Sequence, residues 1–194
     1  MATGFTKSDL QIHFVLRYSD TLKGYDTIAE HERILKQRGH VWMGKFGMGV
    51  SSALVAKTRA QIAEGVPTWV YFSCQKKITR RAMVRRMIGG GHGSKSKTPS
   101  LATTPRYYSA QACSVWFELT TIEECSPSDI SLLRLYNDPS MAPAFTSMRG
   151  LFYVTQARSE TEPVRRTKQA RSGRGSPTTG DNSTIDTDFD DLGY

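Results

Sequence analysis

The alternation of apolar and polar positions divides the first 157 residues into short strands and a few helices. Residues 11–18 (QIHFVLRY) alternate and are rich in β-branched and aromatic side chains, which predicts a strand, with Ser19 and Asp20 as its turn. Asp26 or Thr27 can cap a helix that runs to about Arg38, with Ile28, Ile34 and Leu35 at helical spacing and Gly39 as its stop. Residues 40–46 (HVWMGKF) predict a second strand, in which Gly44 implies a bulge or the close approach of another backbone. A second helix follows over 51–64, with Ser51 or Ser52 at its start and Leu54, Val55, Thr58 and Ile62 on one face. Gly65 ends it, and residues 68–73 (TWVYFS) form a third strand.

The second half is less regular. Residues 76–88 (KKITRRAMVRRMI) read as a basic strand or a helix, because Ile78, Ala82, Val84 and Met87 do not decide between the two periods. The stretch GGGHGSKSKTPS reads as an exposed, flexible loop. Strand character returns over 107–119 and closes in an acidic turn at Glu123 and Glu124. Ser126, Pro127, Ser128 and Asp129 open a short helix to about Tyr136, with the proline in its first turn, and residues 150–156 predict a last strand. From Arg158 onward Arg, Ser, Thr, Gly and Pro dominate, and the end, DTDFDDLGY, is acidic. With no apolar periodicity that segment cannot offset its ordering entropy and is expected to be disordered. The expectation is therefore one α/β (α+β) domain over 1–157 and a tail over 158–194, basic and then acidic.

Charge sharpens this picture. The chain carries 26 Lys/Arg against 18 Asp/Glu, a net of +8. Six of the former and seven of the latter fall from Arg158 onward, which leaves 20 against 11, or +9, before it. The positive charge thus belongs to the predicted domain, which favours a polyanionic partner, most often nucleic acid. Cys74, Cys113 and Cys125 form no CxxC pair and read as inert thiols, with no histidine at zinc-ligand spacing. No run nears the roughly eighteen apolar residues of a membrane span, and MATGFTKSDL lacks the apolar core of a signal peptide. An intracellular, cytoplasmic chain without a membrane partner is expected.

Three groups of residues are candidates for chemistry. On the second strand, alternation places Trp42, Gly44 and Phe46 on one face and Val41, Met43 and Lys45 on the other. A tryptophan beside a glycine suits a flat ligand, although Trp42 and Phe46 also suit a core. Trp69, Tyr71, Tyr107, Tyr108 and Trp116 are further rings, and two or three of the whole aromatic set are expected to line a pocket. The base-binding candidates are Trp42, Lys45, Trp69, Tyr107 and Trp116. Lys76, Lys77, Arg80, Arg81, Arg85 and Arg86 put six cations in eleven residues and, with Lys95 and Lys97, are the phosphate-binding candidates. GGGHG around His92 lacks the GK[ST] ending of a P-loop, and neither GxGxxG between strand and helix nor GxSxG is present. Asp20, Asp26, Glu30 and His31 cluster in sequence, but helix geometry puts Glu30 and His31 on adjacent faces. No metal, cofactor or catalytic group is assigned, and the chain reads more as a binder than as an enzyme.

The order of a strand, a helix, a strand with VWMGKFG, a helix, TWVYF, a basic segment, SVWFEL and a closing GLFYV resembles the EVE and related PUA-like domains. That superfamily includes the YTH and ASCH domains. The resemblance covers roughly residues 10–156. It implies a mixed, curved or barrel-like sheet of about five to six strands flanked by helices. It also implies a pocket for a single, often modified, base held by aromatic rings. Trp42 matches the first aromatic position, and Trp69 or Trp116 would supply a second wall. The GGGHGSKSK insert and the tail are not part of a minimal domain of this kind. The expected function is that of a DNA- or RNA-binding module reading one base beside a basic groove. Two alternatives stay open: a protein-interaction adaptor or inhibitor acting through the charged tail, and a nuclease or glycosylase using Asp20, Asp26, Glu30 or His31.

Overall fold

The computed structural model describes residues 10–157 apart from 21–23, 25, 49, 91–93 and 144–149. The predicted tail at 158–194 and His92 therefore lie outside the described residues. The described elements are β1 (His13–Arg17), α1 (Thr27–Arg38), β2 (Val41–Lys45), α2 (Ser52–Ala63), β3 (Trp69–Cys74), β4 (Lys77–Gly89), β5 (Val115–Glu124), α3 (Pro127–Ser131), β6 (Leu133–Leu135) and β7 (Leu151–Gln156). Two 3-10 turns, Leu101–Thr103 and Arg106–Tyr108, lie between β4 and β5.

The seven strands form one mixed sheet in the order β2-β5-β4-β3-β1-β7-β6. β1 and β3 run parallel, and the other neighbouring pairs are antiparallel. The sheet is curled without closing into a barrel. Its curl brings the rings of Phe14 on β1 and Phe117 on β5 to 5.1 Å, although β3 and β4 separate those strands. Leu16, Val70, Phe72 and Val84 share that interior with Ile28 and Ile34 of α1 and Val55 of α2. Two smaller clusters lie outside the curl: Val15, Tyr71, Leu133 and Val154 on one part of the sheet, and Trp42, Tyr108, Cys113 and Trp116 on another.

The helix ends follow local chemistry. The Asp26 carboxylate accepts from the Ala29 amide at 2.9 Å, and Gly39 takes the left-handed conformation (φ 76°) that closes α1. The buried Gln61 amide bonds both backbone groups of Ile12 and the Thr68 hydroxyl, pinning α2 against the start of β1.

One open reading is settled and three expectations are corrected. The basic segment is a strand, and register shifts explain its mixed spacing. β4 slips past β3 beside Thr79 and past β5 beside Arg85, stretching the buried positions to Ile78, Ala82, Val84 and Met87. Strand β5 begins at Val115 rather than Tyr107, and it runs through the predicted acidic turn, so that Glu123 and Glu124 face Arg81 and Arg80. The last helix stops at Ser131, because Leu133 is fully buried as part of an edge strand paired with β7. The predicted loop after β4 is fixed on its far side: Ser96 bridges Cys113, and the Ser96 carbonyl accepts from the Trp116 indole at 3.0 Å. Among the described residues no helix is long and apolar enough to cross a membrane.

Candidate functional site

The C-terminal ends of β1 and β2 and the first residue of α1 meet around a cleft of about 500 Å³. Its lining includes Arg17, Tyr18, Lys45, Phe46, Tyr107 and Tyr108, with Gln111 among its polar groups. Phe46 is 44% exposed and stacks on Tyr108, with centroids 5.2 Å apart and planes at 26°. Tyr107 leans on Tyr108 at 4.6 Å, and the Tyr108 hydroxyl donates to the Gly44 carbonyl at 3.0 Å. Burial raises the pKa of both tyrosines, so their hydroxyls stay neutral hydrogen-bonding groups at ordinary pH. Such a concave, ring-lined site with a few polar groups at its edge suits a flat, partly apolar ligand.

The predicted base-binding residues are divided by the fold. Lys45 and Tyr107 line the cleft. The Lys45 ammonium, however, donates to the carbonyl oxygens of Phe46 and Met48, so it shapes the following loop instead of reaching outward. Partial burial also lowers its pKa. Trp42 and Trp116 are 1% and 0% exposed and support Tyr108 from behind, presenting almost no surface to a ligand. Gly44 does mark a close approach, but by the protein itself. A Cβ at this position would lie 2.5 Å from Cys113 Sγ and 2.8 Å from the Trp116 ring. Trp69 lies in the Val15–Tyr71 cluster, away from the cleft, with the Arg81 guanidinium 4.4 Å from its ring centroid.

The phosphate-binding candidates also separate. Arg80 pairs with Glu124 at 2.5 Å and Arg81 with Glu123 at 2.6 Å, across β4 and β5. The slip beside Arg85 lets two consecutive arginines serve one carboxylate: Arg85 pairs with Glu118, and Arg86 reaches it at 2.9 Å. Glu118 is 2% exposed while both arginine side chains stay more than half exposed, so a buried anion orients two outward-facing guanidinium groups. His40 stands 3.7 Å from the same carboxylate, and Arg86 covers the Trp42 ring at 5.0 Å. Lys76, Lys77, Lys95 and Lys97 are exposed. Gln75 and Lys76 form the β3–β4 turn, and the preceding Ser73 carbonyl accepts from the amide of Tyr18 in the cleft wall. Lys76 and Lys77 therefore stand a few residues from that wall.

The residues considered for catalysis have structural duties. Asp20 accepts from the Thr27 amide at 3.0 Å, Asp26 caps α1, and Glu30 pairs with Arg33. His31 is fully buried against Tyr107 and Tyr108, its Nδ1 lies 2.6 Å from the Thr27 carbonyl, and burial pushes its pKa down to about 4. Among the described residues no three His, Cys, Asp or Glu stand together in a way that would hold a metal ion. Sequence reasoning left Arg17, Tyr18, Phe46 and Gln111 out of the site. For Phe46 a signal existed, since alternation put it on the Trp42 face at the strand's end, where cover runs out.

A family model described as Pua-like matches residues 14–148. PUA-like domains generally bind RNA or other nucleic acids. A comparison with curated proteins found no match. The family match spans well over half of the 194 residues, and the curled, mixed sheet has the architecture it implies: the chain belongs to the Pua-like family.

Proposed function

We propose that this chain binds nucleic acid by taking one unstacked base into the cleft edged by Phe46 and Tyr107. The observation that carries this reading is an open, ring-lined cleft on a domain whose charge is strongly positive. Stacking on an accessible ring contributes roughly 1–3 kcal/mol per base. That is of the order needed to offset drawing a base out of its stack, which costs a few kcal/mol. Phosphates on either side of the base are assigned to Arg17, Lys76 and Lys77 on one flank and to Lys95 and Lys97 on the other, with Arg85 and Arg86 as a further fork. Arg80 and Arg81, held by carboxylates, contribute less. The binding module is residues 1–157. The basic part of 158–194 adds nonspecific phosphate contacts, and its acidic end is left to a protein partner.

The test is an anisotropy titration of the full chain against single- and double-stranded DNA and RNA, methylated and unmethylated, at several salt concentrations. Binding that weakens steeply with salt is expected. Phe46→Ala and Tyr107→Ala should each weaken it by roughly 5- to 150-fold in a folded protein. Absence of binding at low salt, or binding that neither substitution changes, overturns the proposal.

A further inference from the structure

Arg80, Arg81, Arg85 and Arg86 all stand on β4, yet their carboxylate partners are placed differently. Arg80 and Arg81 pair with Glu124 and Glu123, whose side chains are 81% and 43% exposed, so an approaching anion meets a carboxylate beside each cation. Arg85 and Arg86 share Glu118, which is 2% exposed, while their own side chains are 58% and 60% exposed. Here the anion is hidden and both cations face solvent. Burying a carboxylate is costly, and among the described residues this one serves only these two guanidinium groups and His40, 3.7 Å away. The register slip beside Arg85 is what turns two consecutive side chains to one carboxylate. Arg86 gives Glu118 its Nε, and its guanidinium lies over the Trp42 ring. Its two Nη groups are left in the geometry that suits two oxygens of a phosphate. Long side chains already held in this way lose less freedom on binding than mobile ones.

The fork stands at one end of a line of positive charge. His40 immediately precedes β2, and Lys36 and Arg38 are exposed in the last turn of α1 just before it. At the other end of β2 stands Phe46, on the cleft rim and on the face that carries Trp42. Between the two, Trp116 lies opposite Gly44, and its indole bond to the Ser96 carbonyl holds the exposed Lys95 and Lys97 near the same face. The neighbouring part of the sheet is neutral, because Glu123 and Asp129 both pair with Arg81.

We infer that Arg85 and Arg86 form a second phosphate site, and that the ligand is a single strand running along the outer face of β2 from the cleft to this fork. The inference rests on the base-binding reading above and adds to it a direction and a length. From His40 to Phe46 the strand covers about 20 Å. A stacked strand rises about 3.4 Å per nucleotide, so about six nucleotides separate the two sites, and fewer when the strand is extended. A duplex would carry a second backbone over the exposed Glu123, whereas one strand on this line meets cations alone.

The experiment titrates the full chain by anisotropy with a labelled trinucleotide, a labelled dodecanucleotide and the duplex of the latter, in DNA and in RNA. Wild type should bind the dodecanucleotide about tenfold more tightly than the trinucleotide or the duplex. Arg85→Gln, which leaves Arg86 on Glu118, should weaken the dodecanucleotide about tenfold and the trinucleotide less than about twofold. It should also lower the salt slope for the dodecanucleotide by about 0.7, the share of one phosphate contact on a single strand. The combined variant Arg85→Gln, Arg86→Gln, Glu118→Gln removes the fork without leaving a buried charge and should lower that slope by about 1.4. Phe46→Ala should weaken both lengths. If neither fork variant changes the dodecanucleotide, or both change the trinucleotide as much, while Phe46→Ala still weakens binding, the second site is overturned and the base cleft stands. Duplex binding as tight as that of the single strand overturns the path along β2. If wild type binds no probe at low salt, both readings fall. Thermal melts of each variant confirm that the loss is of contact and not of fold.

Discussion

The Trp42–Trp116 cluster and the Phe46–Tyr107 cleft are built from the same kind of residue, and Tyr108 belongs to both. Trp42 and Phe46 even share a face of one strand and its extension. Arg86, held by Glu118, closes over Trp42, and the backbone around Ser96 takes the Trp116 indole hydrogen bond. Among the described residues nothing comparable covers Phe46, which stays 44% exposed. An aromatic ring therefore becomes a wall of the core or of a site according to what lies across it, and its own strand does not decide which.

The comparison breaks most sharply on stability. Trp116→Ala should cost about 3–5 kcal/mol in denaturant melts, because it opens a large void behind Tyr108. Phe46→Ala, at an exposed position, should fall within about 0.5 kcal/mol of wild type. Acid should act through two buried histidines, one of which, His31, packs behind the cleft rings. His13 and His31 are both buried with pKa values lowered to about 4, below the unfolded value of 6.5. The unfolded chain thus takes up protons first, and stability present above pH 6.5 is lost as pH falls toward 4. Between pH 6.5 and 5 the loss should be about 2 kcal/mol for each histidine, and His31→Gln should flatten part of that slope.

Smaller changes sharpen the boundary between the two regions. Gly44→Ala should destabilise by about 1–3 kcal/mol, since its methyl group meets Cys113 and Trp116 where neither has room to move. A neutral result in a melt would mean that the cluster is looser than its burial indicates. The exposed Arg80–Glu124 pair gives the smallest expected effect. Arg80→Gln should change stability by about 0.2–1 kcal/mol and nucleic-acid affinity by less than about threefold, whereas Lys76→Gln with Lys77→Gln should reduce the salt slope of binding by about two. Equal effects from the two would place the phosphate path along β4 instead.

Much of the frame was legible because its causes are local. The cap at Asp26, the stops at Gly39 and Gly65, and the alternation of β1 and β3 each depend on neighbours within a few residues. The helix expected to run to Tyr136 failed because Leu133 and Leu135 found partners in β7, about twenty residues away. The basic segment resisted reading because a register slip is set by the opposing strands and leaves only a stretched spacing in the sequence.

The sequence by itself determined most of the elements and their order, the positive charge before Arg158 and the resemblance to PUA-like domains. Only the tertiary structure decided which rings are reachable and which cations are free to act. Those outcomes depend on contacts such as Tyr108 on Gly44 and Arg85 on Glu118, which join residues 64 and 33 positions apart. Local pattern reports a side chain's strand and face, but the cover over that face arrives from elsewhere in the chain when the sheet curls.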